Sequence, residues 1–239
     1  MASITRTFAQ IVALSLSLAV CAGCKSDNEN SNAGVKGLSQ ADADKMNSSR
    51  SSFDQPGDPP FNVETRFAAG QLAESQNNPG AAIEQYKEAL KIDPKHQPSM
   101  FRLAVVYTQA KAYPQAIEAW KKYIAATNNS ARGYSNLGFC YELAGKNAEA
   151  EAAYKMGLAR DPKCEPCCIN YGMMLVRTGR VEDGRNLLQT VLEPAQAAYN
   201  IGSVLEQTGR KDQAREEYNK ALKLDPNFQQ AQARLSAMN

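Results

Sequence analysis

The chain has 239 residues, a formal net charge of +2 and six cysteines, and 43% of its residues are hydrophobic. The near-zero net charge and the lack of a basic stripe argue against nucleic acid as the main partner, because nucleic-acid-binding domains concentrate Lys and Arg on one face. The length allows one or two ordinary domains.

The first 24 residues have the pattern of an export signal. Arg6 gives a weakly basic start, and Ile11–Val20 is an apolar run that is too short to span a bilayer. Two small residues then precede Cys24. This arrangement resembles the signal of bacterial lipoproteins, in which the cysteine after a pair of small residues is lipidated and becomes the mature N-terminus. The resemblance implies a signal peptide over residues 1–23 and a lipid anchor on Cys24.

Two further features of this signal bear on the anchor. Cys21 stands where lipoprotein signals usually have Leu, and lipidation of Cys21 instead would place Val20 at the cleavage site, where it fits less well. Lys25, rather than Asp, follows Cys24, which in diderm bacteria implies the outer membrane. An ordinary secretory signal that is cut nearby is the alternative, and both interpretations imply export.

Residues 24–60 are predicted to be a flexible tether. The segment is rich in Ser, Asn, Asp and Gly and has too few apolar residues to bury a core. A flexible chain of this length reaches on the order of 33 Å. It would therefore hold the following domain close to the membrane while leaving it free to turn.

From residue 61 onward the sequence repeats with a period of 34 residues. Small residues recur at this interval, at Gly70, Ala104, Gly138 and Gly172. Within the third period the apolar residues follow the 3.6-residue spacing of two amphipathic helices, with a break at Gly145. Gly145 suits the left-handed residue that ends the first helix, Asn147 suits the cap of the second helix, and Pro162 stops that helix.

A second series of small residues keeps the same register, and a large residue follows each of them four positions on. The small residues are Ala82, Ala116, Ala150, Gly184 and Ala214, and the large ones are Tyr86, Trp120, Tyr154, Leu188 and Tyr218. This pattern resembles the tetratricopeptide repeat family. The resemblance implies an all-α fold, namely a right-handed superhelix (α-solenoid) of about five helix-turn-helix repeats with a concave groove and a C-terminal capping helix.

The repeats are expected to divide a domain over residues 61–239. Their predicted ranges are 63–96, 97–130, 131–164, 165–194 and 195–228. The fourth repeat is irregular, because the small residue steps by only 30 positions, to Gly202, and Pro194 interrupts the second helix. That helix should therefore be about one turn short. A closing helix over 229–239 should turn Ala231 and Leu235 toward the last repeat and solubilise the open end.

The cluster Cys164, Cys167 and Cys168 is the main candidate for chemistry. Pro166 suits the first turn of a helix, so that Cys164 and Cys167 would lie at a helix N-terminus, where thiolates are stabilised. A thiol-redox or catalytic accessory role is therefore the alternative function. The competing interpretation is a structural disulfide between Cys164 and Cys167, or packed thiols, because exported proteins commonly oxidise such pairs and no strand precedes this one as in thioredoxin-like sites.

No catalytic, metal or cofactor site is predicted. A zinc site that recruits Cys140 lacks the usual paired ligand spacing, and no His follows the second cysteine as haem attachment requires. His96 is the single histidine and falls in an inter-repeat loop, so it is expected to be solvated at the surface. No Gly-rich phosphate loop precedes a helix. The chain is therefore expected to be non-enzymatic.

The inner wall of the groove is the remaining candidate site. In the family, first-helix positions 2, 5, 6, 9, 12 and 13 can face the concave side. Position 6 is Asn136, Asn170 and Asn200 in three successive repeats. This resembles the asparagine ladder in the repeats of the O-linked N-acetylglucosaminyltransferase, where such amides hold the main chain of an extended peptide. Alternatively, these amides only satisfy local polarity.

Positions 5 and 9 supply an apolar and aromatic floor in the middle of the groove. The residues of this floor are Phe101, Phe139, Ile169, Met173 and Tyr199. The Lys and Asn clamp with which chaperone-tail-binding members hold a terminal carboxylate is missing. A protein or peptide partner, without a preferred identity or oligomeric state, is therefore expected in this groove. Lipoproteins of the same family that assist pilus or envelope assembly are the nearest functional analogues, by fold and address alone.

Overall fold

The computed structural model describes residues 62–238, and within that range it contains eleven α-helices and no β-strand. The helices are α1 Val63–Ser75, α2 Pro79–Ile92, α3 Gln97–Gln109, α4 Tyr113–Ala126, α5 Ala131–Leu143, α6 Asn147–Arg160, α7 Glu165–Arg177, α8 Val181–Leu188, α9 Pro194–Gln207, α10 Lys211–Leu224 and α11 Gln229–Ala237. The all-α solenoid that the repeat predicts is confirmed. The predicted signal peptide, the tether and Cys24 lie outside the described residues.

The first ten helices pair as five hairpins, and each hairpin turn contains a residue with a positive φ. Gly145, Gly179 and Gly209 have φ angles of 74°, 93° and 79°, a region that glycine enters without steric cost. Asn77 and Lys111 take this role in the first two hairpins. Gly145 therefore ends α5 as the sequence predicts.

The predicted cap of α6 is wrong by one residue. Asn147 is the first residue of the helix, and Lys146 occupies the N-cap position without a side-chain cap bond. The turn decides this register, because the Lys146 backbone N–H donates to the Tyr141 carbonyl at 2.9 Å and closes the loop around Gly145. Tertiary closure of the hairpin thus overrides the preference of asparagine for a cap.

The recurring small residues lie where the two helices of a hairpin meet. A Cβ atom added to Gly138 would lie 2.7 Å from the ring of Tyr154, and one added to Gly202 would lie 2.8 Å from the ring of Tyr218. Both distances are well below a normal carbon–carbon contact. The small residues therefore allow the two helices to approach closely, and a tyrosine of the second helix fills the space beside each of these glycines.

Successive hairpins stack by burying one face of each first helix. The tenth position of each repeat shows the pattern. Val106, Cys140, Met174 and Val204 are at most 2% exposed, whereas the equivalent Leu72 of α1 is 59% exposed. Buried apolar clusters follow one another along the stack in this way, so each hairpin depends on its neighbours for a core.

The fourth hairpin departs from the others in two ways. Its second helix, α8, has eight residues, against 14 in α6 and α10, so the shortening is closer to two turns than to the single turn predicted. Pro194 does not end this repeat but is the first residue of α9, where its fixed φ suits a helix start. Direct contacts join α5 to α7 and α7 to α9.

The last helix, α11, packs on the fifth hairpin as predicted. Ala231 is fully buried, and Leu235 packs against the last apolar cluster. Arg234 of α11 also donates to the carboxylate of Glu206 at the end of α9. Among the described helices, none combines the length and the apolar character that crossing a bilayer requires.

Candidate functional site

We use the term inner face for the residues at positions 2, 6, 9 and 13 of the second to fifth repeats, counted from the predicted repeat starts at 97, 131, 165 and 195. These residues follow one side of each first helix. The inner-face residues are Pro98, Arg102, Val105 and Gln109 in α3; Arg132, Asn136, Phe139 and Leu143 in α5; Pro166, Asn170, Met173 and Arg177 in α7; and Gln196, Asn200, Ser203 and Gln207 in α9. Position 5 lies at the edge of this face.

The three asparagines of the predicted ladder are each half-buried at the same helical position, but their hydrogen bonds differ. Asn170 Nδ2 donates to Ser135 Oγ at 3.1 Å, across the contact between α7 and α5. Asn200 Oδ1 accepts from Gln196 Nε2 at 3.0 Å. The side chain of Asn136 has no hydrogen-bond partner among residues 62–238. Only one rung is therefore free of intramolecular hydrogen bonds, although a side-chain amide with one bond keeps further donor and acceptor capacity.

Most residues of the predicted apolar floor bury part of their surface against other side chains of the protein. The ring of Phe101 meets Trp120 and Tyr123 edge-on, with centroids 5.3 and 5.4 Å apart. Ile169 and Met173 pack against the cluster around α9. These residues are half-buried, so each one keeps part of its surface open while the rest stabilises the stack.

Tyr199, another aromatic residue of the predicted floor, also packs against two rings. Its ring centroid lies 5.6 Å from that of Tyr218 and 5.2 Å from that of Phe228. Phe139 is the opposite case, because it is half-buried yet belongs to none of the apolar clusters of the described chain. The floor is thus least occupied by the protein itself at α5.

Leu143 is an inner-face residue that the sequence analysis did not single out. It ends α5 one turn beyond Phe139 and is 42% exposed, one of few large hydrophobic residues at that level of exposure. The available signal was its location at position 13, which can face the groove. Arg132, one turn before Asn136, is exposed as well and makes no ion pair with a described residue.

Three hairpins are closed by a cluster that we call the clasp. In each clasp a tyrosine hydroxyl of the second helix donates to a glutamate of the first helix, and an arginine of the following repeat or capping helix donates to the same carboxylate. The clasps are Tyr86–Glu74–Arg102, Tyr154–Glu142–Arg177 and Tyr218–Glu206–Arg234. The sequence analysis missed them, although a glutamate precedes each of these tyrosines by 12 positions.

Burial perturbs the electrostatics of the middle clasp. Burial raises the pKa of Glu142 above its usual range, even though Tyr154 and Arg177 favour the ionised form. Burial raises the pKa of Tyr154 as well, and the neighbouring carboxylate adds to that effect. Because these groups use their polar atoms on one another, the clasp acts as a joint between repeats rather than as an acid–base pair.

The cysteine cluster is buried at the start of α7. A disulfide joins Cys164 and Cys167, whose Cα atoms lie 5.2 Å apart, and the two residues are 4% and 0% exposed. Cys167 Sγ lies 3.3 Å from the carbonyl oxygen of Ala131. Cys140 and Cys168 are buried thiols, and burial raises the pKa of both. A raised pKa lowers the thiolate fraction, which is the reactive form.

His96 is not the solvated surface residue that the sequence predicts. Its side chain is only 11% exposed. Nδ1 lies 2.8 Å from Ser99 Oγ, Nε2 lies 3.4 Å from Glu64 Oε1, and the ring meets Phe67 edge-on at 5.4 Å. The loop between α2 and α3 is exposed, but it is short and places the His96 ring against α1.

The described residues offer little for other chemistry. Within residues 62–238, no group of three His, Cys, Asp or Glu side chains is arranged to hold a metal ion. An open cleft of about 400 Å³ lies beside the shortened α8, lined by Tyr171, Leu175, Asp183, Asn186, Leu187 and Thr190. This lining has one carboxylate and neither histidine nor cysteine, so it does not provide an acid–base pair.

Family comparisons agree with the repeat pattern. Two sequence profiles, both of the tetratricopeptide repeat, match residues 67–138 and residues 131–164 and 195–228. Together these matches cover more than half of the chain.

Two curated relatives share part of this sequence. The general transcriptional corepressor ssn6 of Schizosaccharomyces pombe is 25% identical over 171 residues, which is 71% of this chain and 13% of that protein. The probable UDP-N-acetylglucosamine–peptide N-acetylglucosaminyltransferase SPINDLY of Hordeum vulgare is 28% identical over 120 residues, 47% of this chain and 13% of that enzyme. The chain thus spans a small fraction of the length of both proteins.

Two solved structures share the fold. MamA superimposes with a TM-score of 0.55 at 21% identity, covering 70% of this chain and 94% of MamA. YrrB, described as a tetratricopeptide protein with an unusual peptide-binding site, superimposes with a TM-score of 0.50 at 19% identity, covering 72% of this chain and 91% of YrrB. At this level of identity the similarity shows the fold alone.

Proposed function

Because the chain belongs to the tetratricopeptide repeat family, we propose that it is a non-enzymatic scaffold whose inner face binds an extended segment of another protein. The observation that carries the proposal is the register of Asn136, Asn170 and Asn200. Each is half-buried at the same position of successive first helices, beside half-buried apolar residues. Amides at a regular spacing can pair with a peptide main chain, and the apolar residues can accept its side chains.

The two sets of residues have different roles in this proposal. The amides contribute affinity with little sequence choice, because every peptide has the same main-chain donors and acceptors. The apolar floor of Phe101, Phe139, Ile169, Met173 and Tyr199 selects the side chains that lie against it, since aromatic and aliphatic anchors carry most of the energy of an interface.

The proposal includes a lipid anchor on Cys24 and a location in the bacterial envelope, at the outer membrane and facing the periplasm. Its support is the sequence of the first 25 residues, in which an apolar run and two small residues precede Cys24 and Lys25 follows it. A scaffold held there by a tether would recruit its partner close to the membrane, as envelope or pilus assembly requires.

Site-specific photo-crosslinking in cells that produce the full chain tests which surface binds. A photoreactive residue is placed either at Phe139, on the inner face, or at Met156, which is 51% exposed on α6. We expect defined adducts with a partner from position 139 and not from position 156. Adducts from position 156 alone would move binding to the outer surface and overturn the proposal.

Affinity measurements on the captured partner segment then separate the two roles. Replacement of Asn136, Asn170 and Asn200 by Ala should weaken all ligands by a similar factor. Phe139→Ala and Ile169→Ala should each cost roughly 1 kcal/mol or more and change which ligands are preferred. Circular dichroism confirms that each variant remains helical. Full affinity in the combined variant would contradict a role for the ladder and floor.

No observation favours the redox alternative or a transferase activity. The sulfur atoms of Cys164, Cys167 and Cys168 are buried, whereas reactive cysteines need exposure and a lowered pKa. The match to SPINDLY covers 13% of that enzyme, so its named activity is not transferred to this chain.

A further inference from the structure

One helix of the inner face differs from its neighbours in what its side chains contact. At the equivalent positions of α3, α7 and α9, the long polar side chains are mostly held within the protein. Arg102 binds Glu74, Asn170 binds Ser135, Arg177 binds Glu142, and Asn200 and Ser203 bind Gln196 and Gln207. Val105 and Met173 pack against apolar clusters. These side chains are therefore already engaged in contacts within the protein.

The side chains at the same positions of α5 make few such contacts with the described part of the chain. Arg132 makes no ion pair and Asn136 no side-chain hydrogen bond with any residue that the structure describes. Phe139 packs into none of the apolar clusters, and Leu143 is 42% exposed. On a helical wheel these four residues fall within a narrow arc, opposite the buried Tyr134 and Leu137. We call them the α5 stripe.

We propose that the α5 stripe is the part of the groove that selects the ligand. The ligand is an extended peptide that carries one acidic side chain and two large apolar side chains at alternate positions. This inference rests on the proposed function. Arg132, which has no ion-pair partner within residues 62–238, supplies a cation in the first turn of α5, where the helix dipole also favours an anion. Asn136 binds the main chain of this stretch of peptide, which follows α5, and Phe139 and Leu143 receive its apolar side chains. The Asn170 and Asn200 rungs bind parts of the segment that lie beyond this stretch.

The spacing of the stripe sets the spacing of the peptide. At 1.5 Å per helical residue, Arg132 and Leu143 are about 16 Å apart along the axis. Side chains on one side of an extended peptide repeat about every 6.6 Å. Phe139 and Leu143 are about 6 Å apart along the axis, close to that repeat, so two apolar residues at alternate positions can face them. Arg132 lies about 10 Å before Phe139, and the long Arg132 and Glu side chains span the roughly 4 Å by which this exceeds one repeat. An aspartate or glutamate side chain is the committed anion, since the stripe lacks a multi-residue clamp for a chain terminus.

Fluorescence polarisation with synthetic peptides tests this inference on the full chain in detergent. The probe is an acetylated and amidated heptapeptide with Glu and two Leu at alternate positions, spaced by Ala and prepared in both sequence orders. Amidation leaves Glu as its sole carboxylate. The comparison peptides carry Lys for Glu, or Ser for both Leu. We expect one order of the Glu peptide to bind about tenfold more tightly than its Lys counterpart, because unlike charges attract and like charges repel across an interface.

Charge reversal supplies the decisive comparison. Arg132→Glu should invert the preference, so that the Lys peptide binds more tightly than the Glu peptide. Arg160→Glu, an equally exposed change on α6, should leave the preference unchanged. Phe139→Ala should abolish the advantage of Leu over Ser, whereas Met156→Ala should not. An unchanged Glu-to-Lys ratio in Arg132→Glu, or equal binding of both peptides to the wild-type chain, overturns the inference.

The two proposals fail in different ways. If a partner crosslinks at position 139 but charge reversal at Arg132 has no effect, the groove binds and the ligand class is wrong. If crosslinks form only at position 156, the groove itself is wrong and the ligand class is overturned with it.

Discussion

Gly138 shows how a single hydrogen atom can set the distance between two helices. The ring of Tyr154 occupies the volume that any larger side chain at this position would need. Gly138→Leu should therefore lower the free energy of unfolding by roughly 1–3 kcal/mol, because the core must shift to admit the new atoms. Gly80→Leu is a suitable control, since a Cβ there would meet only Asn78 Oδ1, at 3.7 Å. Equal denaturation midpoints for the two variants would contradict the assigned register.

Arg177 supplies the positive charge that balances Glu142 in the middle clasp. Glu142 is 11% exposed, and Arg177 is its cationic partner with a side chain that is 42% exposed. Removal of this partner leaves a nearly buried carboxylate without its counter-charge. Because Arg177 is partly solvated, we expect Arg177→Ala to cost about 1–2 kcal/mol at neutral pH, less than the loss of a fully buried pair.

The pH dependence of this variant follows from the pKa of Glu142. Burial already raises that pKa above 4.5, and loss of Arg177 raises it further. A folded-state pKa above the unfolded value means that the folded protein binds more protons, so stability falls as pH rises through this interval. The loss in free energy of unfolding that Arg177→Ala causes should thus be largest at neutral pH. It should shrink as the solution is acidified toward pH 4.5, because Glu142 then takes up a proton. Chemical denaturation across this range, with Arg160→Ala as the control, measures it.

At the scale of single elements, α7 begins with a disulfide in place of a side-chain cap. Cys164 is its N-cap residue but makes no side-chain cap bond, and its sulfur is joined to Cys167 in the first turn. The disulfide thus replaces the usual cap by a covalent closure of that turn. Pro166 removes one backbone donor that the turn would otherwise leave unsatisfied.

Two variants that lack the disulfide can separate the covalent closure from the cap. Closing so short a loop contributes about 2 kcal/mol in the chain-entropy model, so a Cys164→Ala, Cys167→Ala variant should lose about that amount. Combining Cys164→Ser with Cys167→Ala should recover about 1 kcal/mol, because serine accepts a cap hydrogen bond. Urea titrations of both variants, beside the wild type with and without reductant, give the comparison. Identical stability of the reduced and oxidised wild type would contradict a stabilising disulfide.

The hairpins also differ in how they close. The first, third and fifth use a clasp, whereas the second uses Trp120, whose Nε1 donates to Thr108 Oγ1 at 3.1 Å. The fourth places Leu188 near Val176, and Arg210 donates to the Val176 carbonyl at 2.6 Å. Hairpins closed by a clasp thus alternate with hairpins closed by other contacts along the stack. Since a solenoid is held by nearest-neighbour contacts, the clasps link particular pairs of repeats rather than the whole chain.

At the scale of the whole molecule, the proposed lipid anchor on Cys24 gives a prediction of its own. Cys24→Ser should convert a membrane-bound protein that detergent extracts into a soluble one, or leave its signal uncleaved, because only the thiol can accept the lipid. Fractionation of cells and mass spectrometry of the mature N-terminus measure this outcome. A mature wild-type protein that begins with an unmodified residue other than Cys24 would show an ordinary secretory signal instead.

The sequence alone determined the parts of this protein that depend on local spacing. The 34-residue period defines the hairpins, and the recurring small residues indicate where two helices come close, as they do at Gly138. Gly145 could be assigned to the turn because a positive φ favours glycine whatever the surroundings. Each of these features is decided within one hairpin, so it is visible in one stretch of sequence.

Only the tertiary structure decided which side chains remain available. Asn136, Asn170 and Asn200 are equivalent in sequence, but Asn170 is bound by Ser135 from the neighbouring repeat. His96 is covered because the loop that carries it returns onto α1. Exposure and hydrogen bonding depend on residues one repeat away or more, and the same residue type can be bound in one repeat and free in the next. The α5 stripe could therefore be found only after its neighbours were in place.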